Sequence, residues 1–351
     1  MLAAPLENHW INITDSIVES ISVKPVYESR YLGEQSVLLP ATINAHAHLE
    51  LSQLEAPLDV PSRSMSDWVA ALLTFRRSAV YDAEQGIRQA FCRPELVEST
   101  AVVADVVPTV IKTAAEGTCL WLPFTELIGW QSNHEREVQA SRFPFGLSPH
   151  APQTVYPALL EWAINQNVPI AMHLAETLEE LQLLRHHTGP LLDMMRRADP
   201  DYDPKSVLLG KRPMDYLQLL STAPKAFVIH GNYLDDEEMR FLAAHRETMS
   251  VVYCPRSHAY FQHSAYPLQK MLDCGVRVLL GTDSLASVPD LNLVEEIRFV
   301  LKHHPTVPAE SVYRMGTVEG ASVFDLLREG FGTVQPGSPV RSSVLDVKQP
   351  I

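Results

Sequence analysis

The chain has 351 residues and 39.2 kDa, with 46% hydrophobic and 20% charged residues, which excludes a disordered chain, a collagen-like repeat and a coiled coil. Its 28 basic against 42 acidic residues give a formal charge of −14, so nucleic-acid phosphates and anionic membrane surfaces are repelled rather than attracted. That length leaves room for one large barrel or two smaller domains.

In chain order, residues 1–36 hold short alternating pieces, His9–Thr14 and Ile17–Val26, that read as strands joined by turns. From there apolar, β-branched runs alternate with helix-compatible stretches. The runs are Val37–Asn44, Thr100–Val106, Thr118–Phe124, Arg142–Ser148, Val168–His173, Lys225–His230, Met249–Cys254 and Val276–Asp283. The stretches include Met65–Val80, Val155–Gln166, Asp235–His245, Pro267–Cys274 and Leu291–His303, several opened by Asp or Pro. Eight such runs with crossover helices predict an α/β protein closed into a (β/α)8 TIM barrel. Arg185–Pro213, polar and punctuated by Pro190, Pro200, Pro204 and Pro213, reads as an insertion after the fifth strand that shapes the mouth. The tail from Gly332, GTVQPGSPVRSSVLDV, reads again as short strands and turns. The expected organisation is a barrel over 37–330 and a small β-unit made from 1–36 and 331–351.

Cys92, Cys119, Cys254 and Cys274 show no Cys-x-x-Cys spacing and are too few to staple this length, which predicts reduced thiols. The opening MLAAPLENHWINITD lacks the basic and apolar regions of a secretory leader, and no apolar run reaches the roughly 18 residues of a spanning helix. A cytoplasmic protein without membrane contact is expected.

In a barrel of this type, side chains at the C-terminal strand ends point into a common mouth. The sequence places His46 and His48 after the first run, His150 after the fourth, His173 at the end of the fifth, His230 at the end of the sixth and Asp283 at the end of the eighth. His46 and His48, two apart, face one side of an extended segment and can grip one cation. Joined by His173 and Asp283 they offer N and O donors that suit zinc, with iron(II) as the other fit. Glu176, three residues after His173, reaches a metal-bound water without ligating the metal and can shuttle a proton to a leaving nitrogen. His230 is a second candidate, as a further ligand or as the group that orients the water. The adjacent pairs His186-His187 and His303-His304 point to different helix faces, and His245 suits a helix end. His9 and His134 have no evident partner in the sequence.

NAHAHLELS, SPHAP, MHLAET, VIHGN and LLGTDSLAS, in this order and at strand ends, resemble the amidohydrolase superfamily in its chlorohydrolase and cytosine-deaminase-like branch. The resemblance covers about residues 37–330. It implies that His46, His48, His173 and Asp283 hold one divalent metal, that Glu176 is the proton shuttle, that His230 contacts the hydrolytic water or substrate, and that Asp283 also acts as a base. Two-metal members bridge their ions with a carboxylated Lys at the end of the fourth strand; RFPFGLSPH has none, which implies a single metal. Pro40-Ala41 departs from the usual Pro-Gly before the first motif, and Arg341-Ser342 from the usual Ala-Asp in the tail; both departures bear on the small β-unit more than on the site.

His150 resembles a substrate-contacting position of adenosine-type deaminases. In CPRSHAYFQH, after the seventh run, Arg256, Ser257 and His258 have the chemistry to meet a carboxylate, carbonyl or phosphate-like group. NAHAHLELS, MSDWVAALLTFRRS and CPRSHAYF together are similar to aminofutalosine deaminases, which act on an adenine-bearing nucleoside in menaquinone synthesis. The expected function is therefore a deaminase that releases ammonia from an aminopurine-type heterocycle. The rivals are hydrolysis of another C–N or C–halogen bond in a triazine, pyrimidine or cyclic amide, and an inactive metal-binding barrel. The expected partner is a small heterocycle, with a homodimer left open.

Overall fold

The computed structural model describes residues 6–26, 31–32, 36–60, 62, 64–108, 119–129, 145–340 and 342–346. Its strands are β1 (Trp10–Thr14), β2 (Ile17–Ser22), β3 (Ser36–Pro40), β4 (Thr42–Ala47), β5 (Thr100–Val107), β6 (Leu120–Leu127), β7 (Gly146–Pro149), β8 (Ile170–Leu174), β9 (Ala226–His230), β10 (Met249–Tyr253), β11 (Val278–Leu280) and β12 (Ser342–Asp346). From β4 to β11 the eight strands lie side by side in chain order, parallel throughout. The sheet closes at its C-terminal end. Thr282 and Asp283 each donate a backbone N–H to the His46 carbonyl at 3.1 Å, and Ala47 forms a parallel bridge with Asp283. The buried Asn44 side chain adds to this seam, donating to Thr282 Oγ1 at 2.7 Å and accepting the Thr282 N–H at 3.1 Å.

Period-two alternation sorts the side chains into two layers. Val102, Phe124, Ala171, Phe227, Ile229, Val252 and Leu279 fill the barrel interior, where Phe324 and Phe331 join them. The intervening residues Met172, Val228, Val251 and Leu280 meet the surrounding helices, including Leu159, Leu184, Leu217 and Ile297. Both strand faces are buried, which is why these strands read as unbroken apolar runs rather than alternating ones.

The first run, read as one strand over Val37–Asn44, splits at Pro40-Ala41. β3 leaves the barrel and pairs antiparallel with β12, while β4 begins at Thr42. Pro40 has no N–H for a ladder and suits the edge where the chain changes sheets. The described ends of the chain meet: β1 and β2 form an antiparallel hairpin, and Val18 exchanges backbone hydrogen bonds with Ser338 and Gly337 at 2.9 and 2.8 Å.

Arg185–Pro213, expected as an insertion at the mouth, is largely helical. Pro190, Pro204 and Pro213 open the helices Pro190–Ala198, Pro204–Val207 and Pro213–Leu220, where a fixed φ and a missing N–H cost nothing. Leu191, Leu192, Met195, Tyr202 and Val207 join the outer core. Residues 118, 142–144 and 341 and His134, used in the sequence reading, lie outside the described residues. No helix among the described residues is long and apolar enough to cross a membrane, and all four cysteines are free.

Candidate active site

At the C-terminal mouth the strand ends bring five donors together. Ligand atoms of His46, His173 and His230 lie within 4.8 Å of one another, as do those of His46, His48 and Asp283, so His46 is common to both groups. The register of β4 against β5 shifts between Asn44 and Ala47, a bulge that re-aims the His46 segment away from the alternation that sends Ile43 and Ala45 into the interior. The turn beyond it is pinned by Asp105, a fully buried carboxylate and the one charge in β5. Asp105 accepts the Leu49 N–H and the Trp121 indole N–H, both at 2.9 Å.

Each donor is oriented from behind. His173 places Nδ1 3.0 Å from the His150 carbonyl, so Nδ1 carries the proton and Nε2 faces the centre, 3.4 Å from His48 Nε2. Asp283 accepts the Ser257 hydroxyl on Oδ2 at 2.6 Å and that of Ser287 at 3.3 Å, leaving Oδ1 toward His46 Nε2, 3.9 Å away. His46 Nε2 is itself buried without a hydrogen-bond partner.

Burial, and then the neighbouring imidazoles, hold His46, His48 and His230 well below the usual histidine range, and His173 falls to about 3 by burial and then His150. Burial raises Asp283 to about 6. The imidazoles are therefore neutral with converging lone pairs, the state in which they bind a cation rather than each other. An orphaned Nε2 amid neutral nitrogens and one oriented carboxylate fits a divalent ion with N and O ligands.

Glu176 places Oε1 3.4 Å from His230 Nε2. Its carboxyl is pushed well above the ordinary value by burial, then by Asp283 and Glu180. The backbone here is strained: Ala175, His230 and Asp283 have φ of 53°, 68° and 66°, in the left-handed region that L-residues avoid by about 1–2 kcal/mol each. Three such residues at three strand ends mark where geometry is held against local preference.

Of the residues singled out for substrate contact, His150 is 4.9 Å, ring to ring, from His173; its Nδ1 bonds Thr154 Oγ1 at 2.9 Å and its Nε2 is 4.0 Å from Glu126. His258 is buried among Tyr253, Tyr266 and His263, with Nε2 unpartnered. Arg256 is spent within the fold. Its guanidinium bonds both Asp290 oxygens at 2.7 and 3.0 Å and Glu296 at 2.6 Å, which ties the helix Pro255–Tyr260 to the helix Leu293–His303.

Sequence reasoning passed over several groups. Glu50, fully buried, holds Arg76 at 2.7 Å and stands 4.0 Å from His48 Nδ1; it was visible as the acid closing His-Ala-His-Leu-Glu. Asp105 could have been found as the lone charge in TAVVADVV, and Glu180 from the capping pattern Thr-x-x-Glu. Glu126, 5% exposed at the end of β6, carried no signal.

A (β/α)8 barrel with this donor set at its mouth defines a metal-dependent hydrolase scaffold. The chain belongs to the amidohydrolase family, whose model matches residues 37–346. It is 32% identical over 217 residues to the 5-methylthioadenosine/S-adenosylhomocysteine deaminase of Pyrococcus furiosus, a match covering 59% of this chain and 46% of that protein. The chain thus spans a little under half the length of that relative. Its fold matches Helicobacter pylori aminofutalosine deaminase in complex with methylthio-coformycin with a TM-score of 0.79 at 21% identity, over 99% of this chain and 89% of the other. It also matches a Xanthomonas campestris adenosine deaminase with bound zinc with a TM-score of 0.68 at 20% identity, over 98% and 81%.

Proposed function

We propose that the protein is a single-metal aminohydrolase that releases ammonia from the adenine ring of a nucleoside. The observation that carries this reading is Glu176 beside His230, its carboxylate 3.4 Å from one imidazole of the neutral cluster that gathers around His46. A mere metal holder needs neither group in that place. The names of the relatives support the substrate class: methylthioadenosine and S-adenosylhomocysteine for one, adenosine and aminofutalosine for the two structural neighbours.

His46, His48, His173 and Asp283 would hold the metal, with zinc first and iron as the other fit. When bound, the ion supplies acidification of a water at neutral pH and polarisation of the reacting centre. Glu176 takes a proton from the attacking water as its oxygen adds to the ring carbon that bears the amino group, and delivers it to the adjacent ring nitrogen. The second water proton goes to the amine, which leaves as ammonia, and the ring carbon keeps the oxygen as a carbonyl. His230, neutral and hydrogen-bonding, orients the incoming oxygen, and Asp283 acts as the base that relays the second proton. Glu176 suits the shuttle because it faces the mouth from a fixed turn.

The test is ammonia release by metal-quantified protein against adenosine, 5′-methylthioadenosine, aminofutalosine, cytosine and a chlorotriazine. Adenine nucleosides should turn over fastest, with one ammonia per nucleoside, since a wrong ring leaves buried polar groups unpaired. Cytosine or the triazine outpacing every nucleoside would overturn the substrate class, and turnover without ammonia would overturn deamination.

A further inference from the structure

Two helices that follow barrel strands use the same cap in different ways. In the helix Asp236–Ala244, Asp235 accepts the Glu238 N–H and Glu238 returns its carboxylate to the Asp235 N–H at 2.8 Å, a reciprocal box; the other Glu238 oxygen accepts the Met214 N–H at 3.2 Å and touches no residue of the candidate site. In the helix Leu178–His186, Thr177 accepts the Glu180 N–H at 3.0 Å, but the Glu180 carboxylate does not return to Thr177. It reaches one and two residues further back, accepting the Ala175 N–H on Oε1 at 2.7 Å and the Glu176 N–H on Oε2 at 3.0 Å.

Glu180 is 2% exposed and pairs with no cation among the described residues; its two oxygens are spent on one turn. That turn has Ala175 in the left-handed region at φ 53°, a conformation an alanine leaves unless held. The opposite side of the turn is held by the loop after β9, where Tyr233 donates its N–H to the Ala175 carbonyl at 3.0 Å and Asn232 its side-chain N–H to the Glu176 carbonyl at 2.9 Å. The same loop begins at His230, the neighbour of the Glu176 carboxylate. The backbone N–H groups are thus gripped from one helix and the carbonyls from another strand's loop.

We propose that Glu180 is a positioning residue for the proton shuttle: it clamps the Ala175-Glu176 turn so that the Glu176 carboxylate stays beside His230. This inference rests on the reading of Glu176 as the shuttle. A clamp of this kind acts on kcat, because loss of alignment at a proton-transferring group of the order of 1 Å costs about 10²-fold while ground-state contacts survive.

The test uses full-length, metal-loaded protein assayed with adenosine and 5′-methylthioadenosine. Glu180→Gln keeps the size but replaces one acceptor with an NH2 that opposes a backbone N–H; kcat should fall about 10–100-fold, with KM within about threefold and metal retained. Glu180→Asp, one methylene short of the turn, should show the same pattern and replaces it where Glu180→Gln does not accumulate. Glu238→Gln disturbs the ordinary box of the same chain and should leave kcat within about twofold, which separates positioning from loss of a cap. On a Glu176→Gln background, Glu180→Gln should cost nothing further, since the group it positions is already silent. Wild-type kcat in both Glu180 variants, an equal loss in Glu238→Gln, or a full further loss on the Glu176→Gln background would overturn the proposal. Near-wild-type turnover of Glu176→Gln alone would instead remove the shuttle on which it rests.

Discussion

Arg256→Met separates two roles for one arginine. Read from sequence, Arg256 meets an anionic or carbonyl group of the substrate; in the structure its guanidinium is 12% exposed and spent on Asp290 and Glu296. The variant keeps the aliphatic volume and strands Glu296, whose side chain is fully buried and retains only the Arg256 backbone N–H at 2.9 Å. Removing one partner of a buried pair costs about 3–5 kcal/mol. At about 2.1 cal/mol/K per residue over 351 residues the unfolding entropy is roughly 0.7 kcal/mol/K, so the apparent Tm should drop by about 4–7 °C. The deficit should depend on pH. Burial raises Glu296 to about 7 even with Arg256 present, so between its ordinary 4.5 and 7 the folded chain binds more protons than the unfolded one, and stability falls as pH rises through that window. Without the guanidinium the carboxyl rises further, and the loss at pH 8 should exceed that at pH 5.5. Asp290 is held below its ordinary value because hydrogen bonds and charge from Arg256 outweigh its burial; its share is present at both pH values and cancels in the comparison. Scanning calorimetry at the two pH values, with KM measured alongside, decides the matter. An unchanged Tm with KM raised tenfold or more would refute the structural role and restore the substrate contact.

Ser257→Ala removes the 2.6 Å hydrogen bond that turns Asp283, and competition against a chelator should show metal affinity about 10–100-fold weaker with the fold intact; unchanged affinity would refute the orienting role. His46→Ala removes the donor common to both groups, and metal content by elemental analysis should fall from one per chain together with turnover; full metal retention would exclude His46 as a ligand. Gly86→Ala should destabilise the protein although alanine gains about 1 kcal/mol of helix propensity, because its Cβ would lie 2.2 Å from the Glu50 carbonyl; a raised Tm would show that this helix can move off the turn after His48.

What the sequence made legible follows from how local each signal is. The alternation of apolar runs and helices is local, and it carries the eight-stranded order directly. The split at Pro40-Ala41 is not local: one apolar run serves two sheets, and the partner that draws Val37–Pro40 away is β12, some three hundred residues on. Prolines in Arg185–Pro213 read as punctuation because proline opens loops and helices alike; burial of Leu191, Met195 and Val207 decides between them. The strand-end donors were legible because a strand end has one direction to face. Arg256 was not, since its partners lie 34 and 40 residues away, Asp290 in the loop before another helix and Glu296 on that helix. Glu180 was half legible: Thr-x-x-Glu signals a cap, while the displacement of that cap onto the Glu176 turn depends on backbone geometry that no spacing encodes.

Metal content and ammonia release, measured on the same preparation of Glu176→Gln, test the central claim most directly. The amide keeps the shape and hydrogen-bonding reach of the carboxyl but cannot take up a proton at neutral pH, so the variant should hold one metal per chain and lose at least the roughly 10²–10⁴-fold that general acid–base catalysis provides. Turnover near that of the wild type would show that Glu176 moves no proton, and loss of the metal with the activity would show that it is a ligand.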